Sequence, residues 1–148
     1  MPISEVVVDN EIIVRSIFSP FCIDKKGNLK SNAFKSPSDK DEVSVLRLDY
    51  TTPDFCKIHS RKIESEGKKY IGLAVLTAKE IYSLGANFAY TPTEELPMHV
   101  DIVIGYKTLK FEPLPPEFSF KIIKMAELAR LYIDKHLDNN KWLDGNLL

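Results

Sequence analysis

The first feature of the chain is a set of short segments whose hydrophobic pattern has the period of a β-strand. Residues 43–50 alternate apolar and polar positions, while residues 11–18 and 98–106 are rich in β-branched side chains. Residues 70–76 are apolar at nearly every position, as expected for a strand that is covered on both faces. The pattern therefore predicts a β-strand in each of these four segments.

Two further strands are predicted from shorter signals. Residues 6–8 are all valine and are followed by Asp9-Asn10, a pair that tolerates the backbone angles of a tight turn. We therefore expect residues 6–8 to form a hairpin with the strand that starts at Glu11. Residues 87–90 are the second short candidate, placed before a proline-bounded loop.

Helices are predicted where apolar residues recur at a period of 3.6 and capping residues precede them. Thr52-Pro53 provides a hydroxyl cap and a proline at the first helical position. Residues 77–80, Thr-Ala-Lys-Glu, fit a capping box that starts a short helix, and Gly85 is suited to end it. A broad apolar stripe over residues 117–137 predicts a long C-terminal helix.

The order of these elements is neither a strict βαβ alternation nor all-β. We expect an α+β fold with a mixed, mainly antiparallel sheet, two short helices and the long C-terminal helix packed on one face. The length of 148 residues, 44% of them hydrophobic, suits one core, so residues 1–148 are predicted to form a single domain.

Composition narrows the function classes. The 20 basic residues are balanced by 21 acidic residues, a net charge of -1, so nucleic-acid binding through a global basic field is not expected. Cys22 and Cys56 stand among apolar residues, as buried free thiols in a reducing compartment do. The N-terminus lacks the pattern of a secretory signal and no apolar run reaches about 20 residues, so we expect a cytoplasmic protein without membrane association.

Two arginines on predicted strands are the first candidate ligand-binding residues. Arg15 shares a strand face with Ile13 and Ile17, and Arg47 shares one with Val43 and Val45. An unpaired guanidinium is costly to bury, so each requires an anionic ligand or a structural partner.

The ligand alternative is a phosphate or carboxylate held by both arginine forks, with the hydroxyls of Ser16 and Ser44 nearby. The structural alternative is an ion pair of an arginine with Asp49, Asp101 or Glu42, or exposure to solvent.

His99 and Asp101 are the candidate catalytic residues. They occupy the same face of their predicted strand, where a carboxylate can orient an imidazole for proton transfer. The alternative is a polar pair that faces water. With Arg15 and Ser44, the layout resembles that of enzymes that split or transfer ADP-ribose from NAD, although a late-strand catalytic glutamate is missing.

A metal site is not predicted. Cys56 and His59 share a helical face, but a structural zinc site requires a second close ligand pair, which the sequence lacks. We expect Cys56 to belong to the core, and no metal or other cofactor is predicted.

The C-terminal residues 138–148 carry apolar residues, including Trp142, beyond the last helical period. Such a segment either folds back on the domain or meets a partner. We therefore predict a small intracellular binding or accessory domain that recognises a partner protein, or a second copy of itself, through the C-terminal helix and the Trp142 tail. A small anionic, phosphate-bearing ligand is a further expectation. The alternative is a nucleotide- or NAD-directed transferase or hydrolase that uses Arg15, Arg47 and His99.

Overall fold

The computed structural model describes residues 2–148 and contains one antiparallel sheet of six strands in the order β4-β5-β2-β1-β3-β6. The strands are β1 (Ile12–Ser19), β2 (Val43–Arg47), β3 (Lys69–Thr77), β4 (Asn87–Tyr90), β5 (His99–Val103) and β6 (Arg130–Ile133). The predicted α+β class is therefore confirmed, with a sheet that is antiparallel throughout.

Three α-helices accompany the sheet: α1 (Pro53–Lys62), α2 (Ala78–Ser83) and α3 (Pro116–Leu128). Helix α1 packs against β1 and β3, and α3 packs against a 3-10 turn at Ser31–Phe34. None of the helices in residues 2–148 has the length and apolar character needed to cross a membrane.

The predicted helix starts are confirmed at both short helices. The Thr52 hydroxyl accepts a hydrogen bond from the Phe55 amide, with Pro53 at the first helical position. At α2, the Thr77 hydroxyl accepts from the Glu80 amide and the Glu80 carboxylate accepts from the Thr77 amide. The first amides of a helix have no partner within the helix, and an unpaired amide costs free energy. The capping side chains accept hydrogen bonds from these amides, which is why helices begin at these sequences.

The predicted hairpin at residues 6–8 is wrong. No strand forms there, and Val6 and Val8 are exposed. The segment instead crosses the Arg47 side chain, and the carbonyls of Ser4 and Val6 accept hydrogen bonds from its guanidinium. Bonding to a side chain satisfies these carbonyls, so the segment needs no neighbouring strand.

The predicted C-terminal helix over residues 117–137 is also wrong in its second half. Helix α3 ends at Leu128, Ala129 is extended, and β6 follows on the free edge of β3. Gly72 permits this pairing, because a Cβ at that position would collide with the Tyr132 carbonyl oxygen. Strand β6 pairs with the edge of the buried strand β3. A longer α3 would leave the backbone groups of that edge unpaired.

The C-terminal segment folds back against α1. Trp142 is buried, its amide donates to the Asp54 carboxylate, and its indole donates to the Gly145 carbonyl. Leu147 is buried as well. Of the two alternatives left by the sequence, the structure shows the apolar tail packed on its own domain.

Candidate functional site

The strand register determines which candidate residues share a face of the sheet. Ile13 is opposite Arg47, so Arg15, two residues further along β1, lies on the same face as Arg47. Ser44 is opposite Asp101 and Leu46 is opposite His99, which places Ser44, His99 and Asp101 together on the other face.

Arg15 occupies a gap between β1 and β2. The two strands pair only at Ile13↔Arg47 and Val14↔Leu46, and beyond this point the Arg15 guanidinium bridges them. Its Nε donates to the Ala33 carbonyl at 2.9 Å and its Nη1 donates to the Ser44 carbonyl at 2.8 Å. Arg15 also lines two separate spaces in the structure.

The first of these spaces is a small cavity of about 30 Å³. Its lining contains four residues that were predicted from the sequence as site residues: Arg15, Ser16, Ser44 and His99. It also contains His59 from α1, which was not predicted as a site residue. A volume of this size holds about one water molecule. The structure thus brings four of the predicted site residues together around a space too small for an organic substrate.

The polar contacts at this cavity are mostly satisfied within the protein. His99 Nδ1 lies 2.8 Å from the Thr91 hydroxyl, and its Nε2 lies 3.9 Å from Asp101. The Ser44 hydroxyl donates to Asp101 at 3.4 Å. The Asp101 carboxylate is therefore within reach of both a hydroxyl and an imidazole, a network that orients the His99 ring.

His59 adds a second imidazole to the same cavity. Burial lowers the pKa of His59 below its usual value, and the nearby His99 and Lys62 act in the same direction. Neutral imidazole is therefore the favoured form at physiological pH. The sequence places His59 on one helical face with Cys56, and no local pattern distinguishes it as a cavity residue.

Arg47 lies apart from this cavity and its donors are occupied. Its Nε and Nη2 donate to the two carboxylate oxygens of Glu11. Its Nη1 donates to the Ser4 carbonyl, and Nη2 donates also to the Val6 carbonyl. The Glu11 hydrogen bond is the main cause that raises the pKa of Arg47. Among the predicted ligand-binding residues, Arg47 is the one that the structure does not bring to the others.

The second space beside Arg15 is a surface groove of about 620 Å³, here called the Arg15 groove. Its charged lining consists of Arg15, Lys35, Lys68 and Glu112, so three cations face one carboxylate in a protein whose net charge is -1. The rest of the lining includes Phe21, Asn32, Ser36, Ser38, Thr108 and Phe111. A cationic groove with exposed aromatic rings is suited to a small anionic ligand.

Two polar groups at the Arg15 groove lack a protein partner. In the described chain, Arg15 has no carboxylate partner, and its Nη2 makes no hydrogen bond to protein. The buried Thr108 hydroxyl is likewise without a hydrogen bond among residues 2–148. An unmade hydrogen bond of a buried group such as the Thr108 hydroxyl costs about 1–3 kcal/mol. The Arg15 Nη2 atom is not buried in this way, so it remains available to a ligand from the groove.

The position of Thr108 is set by its backbone. Its amide donates to the Lys40 carbonyl, and its carbonyl accepts from the Asp39 amide. These two hydrogen bonds hold the backbone of Thr108 against residues 39–40. No pattern in the sequence identifies Thr108 as a site residue, because it belongs to no strand or helix.

Residues that could hold a metal lie elsewhere. The ligand atoms of Asp134, His136 and Asp144 are within 4.8 Å of one another. However, the Lys57 ammonium is 2.9 Å from the Asp134 carboxylate and supplies the positive charge there. Lys57 Nζ also donates to the carbonyls of His136 and Lys141, so the Lys57–Asp134 ion pair anchors the C-terminal segment to α1.

No protein-family model matches this sequence, and the searches against curated proteins and against solved structures find no significant similarity. The contacts within the chain are therefore the basis for a functional proposal.

Proposed function

We propose that the protein is a small binding module whose Arg15 groove takes a phosphate-bearing ligand. The observation that carries this proposal is the Arg15 guanidinium, which is half-buried, lines the groove and has no carboxylate partner in residues 2–148. Burial lowers the pKa of Arg15, whereas nearby Cys22 and Asp101 oppose that shift.

The physical support is the cost of partly burying this charge without a carboxylate of residues 2–148 in direct contact with it. Arginine remains protonated in proteins, so a partly desolvated guanidinium is stabilised by an anion rather than by losing its proton. A phosphate offers several oxygens to the free Nη2 atom and to the ammonium groups of Lys35 and Lys68. Glu112 is the opposing feature, because it disfavours an anion that fills the whole groove.

The test is a thermal-shift and calorimetry screen with inorganic phosphate, pyrophosphate, sugar phosphates and nucleotides. A ligand that binds only the folded state raises the melting temperature as its concentration exceeds the Kd. Lys35→Met and Lys68→Met each remove a groove cation without disturbing the Arg15 contacts, and we expect each to weaken binding. Lys124→Met, on the exposed side of α3, removes the same charge outside the groove and serves as the control.

Arg15→Lys provides a second, more direct variant. Lysine keeps the charge but loses the planar fork that holds Ala33 and Ser44 while leaving Nη2 available. We expect weaker binding with an intact fold, verified by circular dichroism. If no phosphate compound binds, or if Lys124→Met weakens binding as much as the groove variants do, the proposal fails.

A second candidate function is association with another protein, or with a second copy of the chain, through α3. The side chains of Phe120 and Ile123 on this helix are 54% and 43% exposed. The Trp142 tail contributes less, because its indole is buried in its own domain. Light scattering should show an oligomer or a complex that Phe120→Asp disrupts; a monomer that captures no partner would count against it.

The enzymatic alternative has less support. A nucleotide- or NAD-directed transferase or hydrolase needs Arg15, Arg47 and His99 to meet one substrate. The Arg47 donors are engaged by Glu11 and two carbonyls, and the cavity beside His99 is about 30 Å³. Turnover of a bound nucleotide that is lost in His99→Gln would favour this alternative.

A further inference from the structure

Phe111 is the most exposed large hydrophobic side chain described in the structure. It is 94% exposed, lines the Arg15 groove, and adopts a φ of 65°, in the left-handed region that side chains with a Cβ rarely occupy. Neither the exposure nor the backbone angle benefits the isolated fold. The exposure becomes favourable when a ligand covers the ring, because apolar surface is then removed from water.

The chemistry around Phe111 is that of a surface for a planar ring. Lys110 Nζ lies 5.0 Å from the centroid of Phe111, and Lys68 Nζ lies 4.9 Å from the centroid of Phe21, the other aromatic residue of the groove. Each aromatic ring is therefore accompanied by an ammonium group. Aromatic rings stack on nucleobases, while neighbouring cations hold the phosphates attached to them.

Thr108 and Glu112 supply hydrogen-bonding groups of the kind that a sugar or base requires. The buried Thr108 hydroxyl lacks a partner in the described chain, and the Glu112 carboxylate is an acceptor that repels a phosphate but suits a hydroxyl or amino group. The groove thus combines a cationic part around Arg15 with an aromatic and hydrogen-bonding part. An inorganic phosphate would leave the second part unused.

We infer that the phosphate-bearing ligand is a free nucleotide, with its phosphate at Arg15, its base on Phe111 and a sugar or base group at the Thr108 hydroxyl. This inference rests on the proposed function and specifies its ligand class. The volume of about 620 Å³ lies within the range of pockets that hold small-molecule ligands. The balanced charge of the protein favours a free nucleotide over a long nucleic-acid strand, which requires an extended basic path.

The experiment measures Kd by calorimetry for adenosine and uridine monophosphates, ribose 5-phosphate, inorganic phosphate and a single-stranded RNA of eight nucleotides. At least one nucleotide should bind about fivefold or more tightly than ribose 5-phosphate, as expected when a base gains a stacking partner. Phe111→Ala should abolish this difference while leaving the affinity for ribose 5-phosphate unchanged. Phe120→Ala is the matched control, because Phe120 is also exposed and has Lys124 Nζ 5.6 Å from its ring centroid.

Thr108→Val keeps the shape of the side chain and replaces the hydroxyl with a methyl group. Because this hydroxyl has no protein partner, the variant should fold at least as stably as the parent, yet bind the nucleotide several-fold more weakly. A stable Thr108→Val protein with unchanged nucleotide affinity would contradict the inference.

The possible failures are distinguishable. If all phosphate compounds bind with equal affinity and depend on Lys35 and Lys68, the proposed function stands and the nucleotide inference is wrong. If none binds, both are wrong. If the RNA binds more than about tenfold more tightly than every monophosphate, with a steep salt dependence, the ligand is a strand and the assignment to a free nucleotide is overturned.

Discussion

Arg47 and Glu11 form a two-pronged ion pair inside the domain, with Nε 2.7 Å from Oε1 and Nη2 2.8 Å from Oε2. Both side chains are almost fully buried. Glu11 also accepts a hydrogen bond from the Val8 amide, so the pair fastens the N-terminal segment to β2. This arrangement explains how a guanidinium is tolerated on an apolar strand face: its charge is matched by a carboxylate 36 residues away in the sequence.

Breaking this pair should be strongly destabilising. Arg47→Met leaves the Glu11 carboxylate buried and unpaired, a change that typically costs about 3–5 kcal/mol of unfolding free energy. Urea denaturation measures the loss. The double variant Arg47→Met with Glu11→Gln should recover a large part of it, because no buried charge remains. A loss below about 1 kcal/mol in Arg47→Met would contradict the structural role.

The surface pair Lys40 and Glu42 provides the comparison for that experiment. Their side chains are 58% and 42% exposed, with the charged atoms 3.2 Å apart. Exposed pairs contribute about 0–1 kcal/mol, so Lys40→Met should change the urea midpoint little.

The buried carboxylate of Asp134 should make stability depend on acid pH. Burial alone would raise its pKa, but hydrogen bonds from Lys57, the His136 amide and Tyr70 outweigh burial and hold the pKa below its usual value of 3.8. A lowered pKa stabilises the fold above pH 3.8, and this contribution is lost as the pH falls through the folded-state pKa. The advantage of the parent over Asp134→Asn should therefore be constant near neutrality and shrink below about pH 4.

Urea titrations of the parent and Asp134→Asn from pH 2.5 to pH 7 test this expectation. Asp138→Asn changes a neighbouring exposed carboxylate and is the control. A difference in unfolding free energy that is the same across the whole pH range would show that the ion pair with Lys57 does not titrate with folding.

Cys56 should be unreactive in the native protein. Burial raises the pKa of the Cys56 thiol to about 12, so almost no thiolate is present at pH 8. Cys22 is also buried, and neither residue forms a disulfide. An aromatic disulfide reagent should therefore label no thiol in the folded state and two after denaturation. Ser38→Cys, at an exposed position, should react at once, and native labelling of Cys56 would contradict its buried position.

The C-terminal segment should contribute to stability through Trp142. Trp142 is 9% exposed and its indole N–H donates to the Gly145 carbonyl, so Trp142→Ala should cost about 3–5 kcal/mol of unfolding free energy. Leu143, beside it, is 50% exposed, and Leu143→Ala should stay within about 0.5 kcal/mol of the parent. Equal effects of the two substitutions would mean that the segment does not pack on α1 as described.

The elements that could be predicted are those whose signal is local. The Thr52 and Thr77 caps bond amides only three residues away, and the strand at 70–76 is apolar throughout, so each signal lies within one short window. These local patterns also placed Arg15, Ser44 and His99 on strands. Which of these side chains share a face of the sheet depends on the strand register, and the hydrophobic pattern alone does not determine that register.

Two elements were decided by partners distant in the chain. Residues 130–133 have a helical hydrophobic period, yet they form a strand. They pair with the free edge of β3, where Gly72 has no side chain to block their approach. Val6 has high strand propensity, but its carbonyl accepts a hydrogen bond from the Arg47 guanidinium instead of from a neighbouring strand. In both cases, a contact between distant segments outweighs a weak local preference.

The candidate site likewise combines one residue that the sequence identified with others that only the tertiary structure brings to it. By itself the sequence identified Arg15 as a guanidinium that requires an anionic ligand or a structural partner, because desolvation of a charge is a property of the residue and its strand face. Lys35, Lys68, Thr108 and Phe111 lie in segments without periodicity, and only the tertiary structure brings them to Arg15. Period and capping are encoded within a few residues, whereas a groove is formed by loops whose relative positions depend on the packing of the whole sheet.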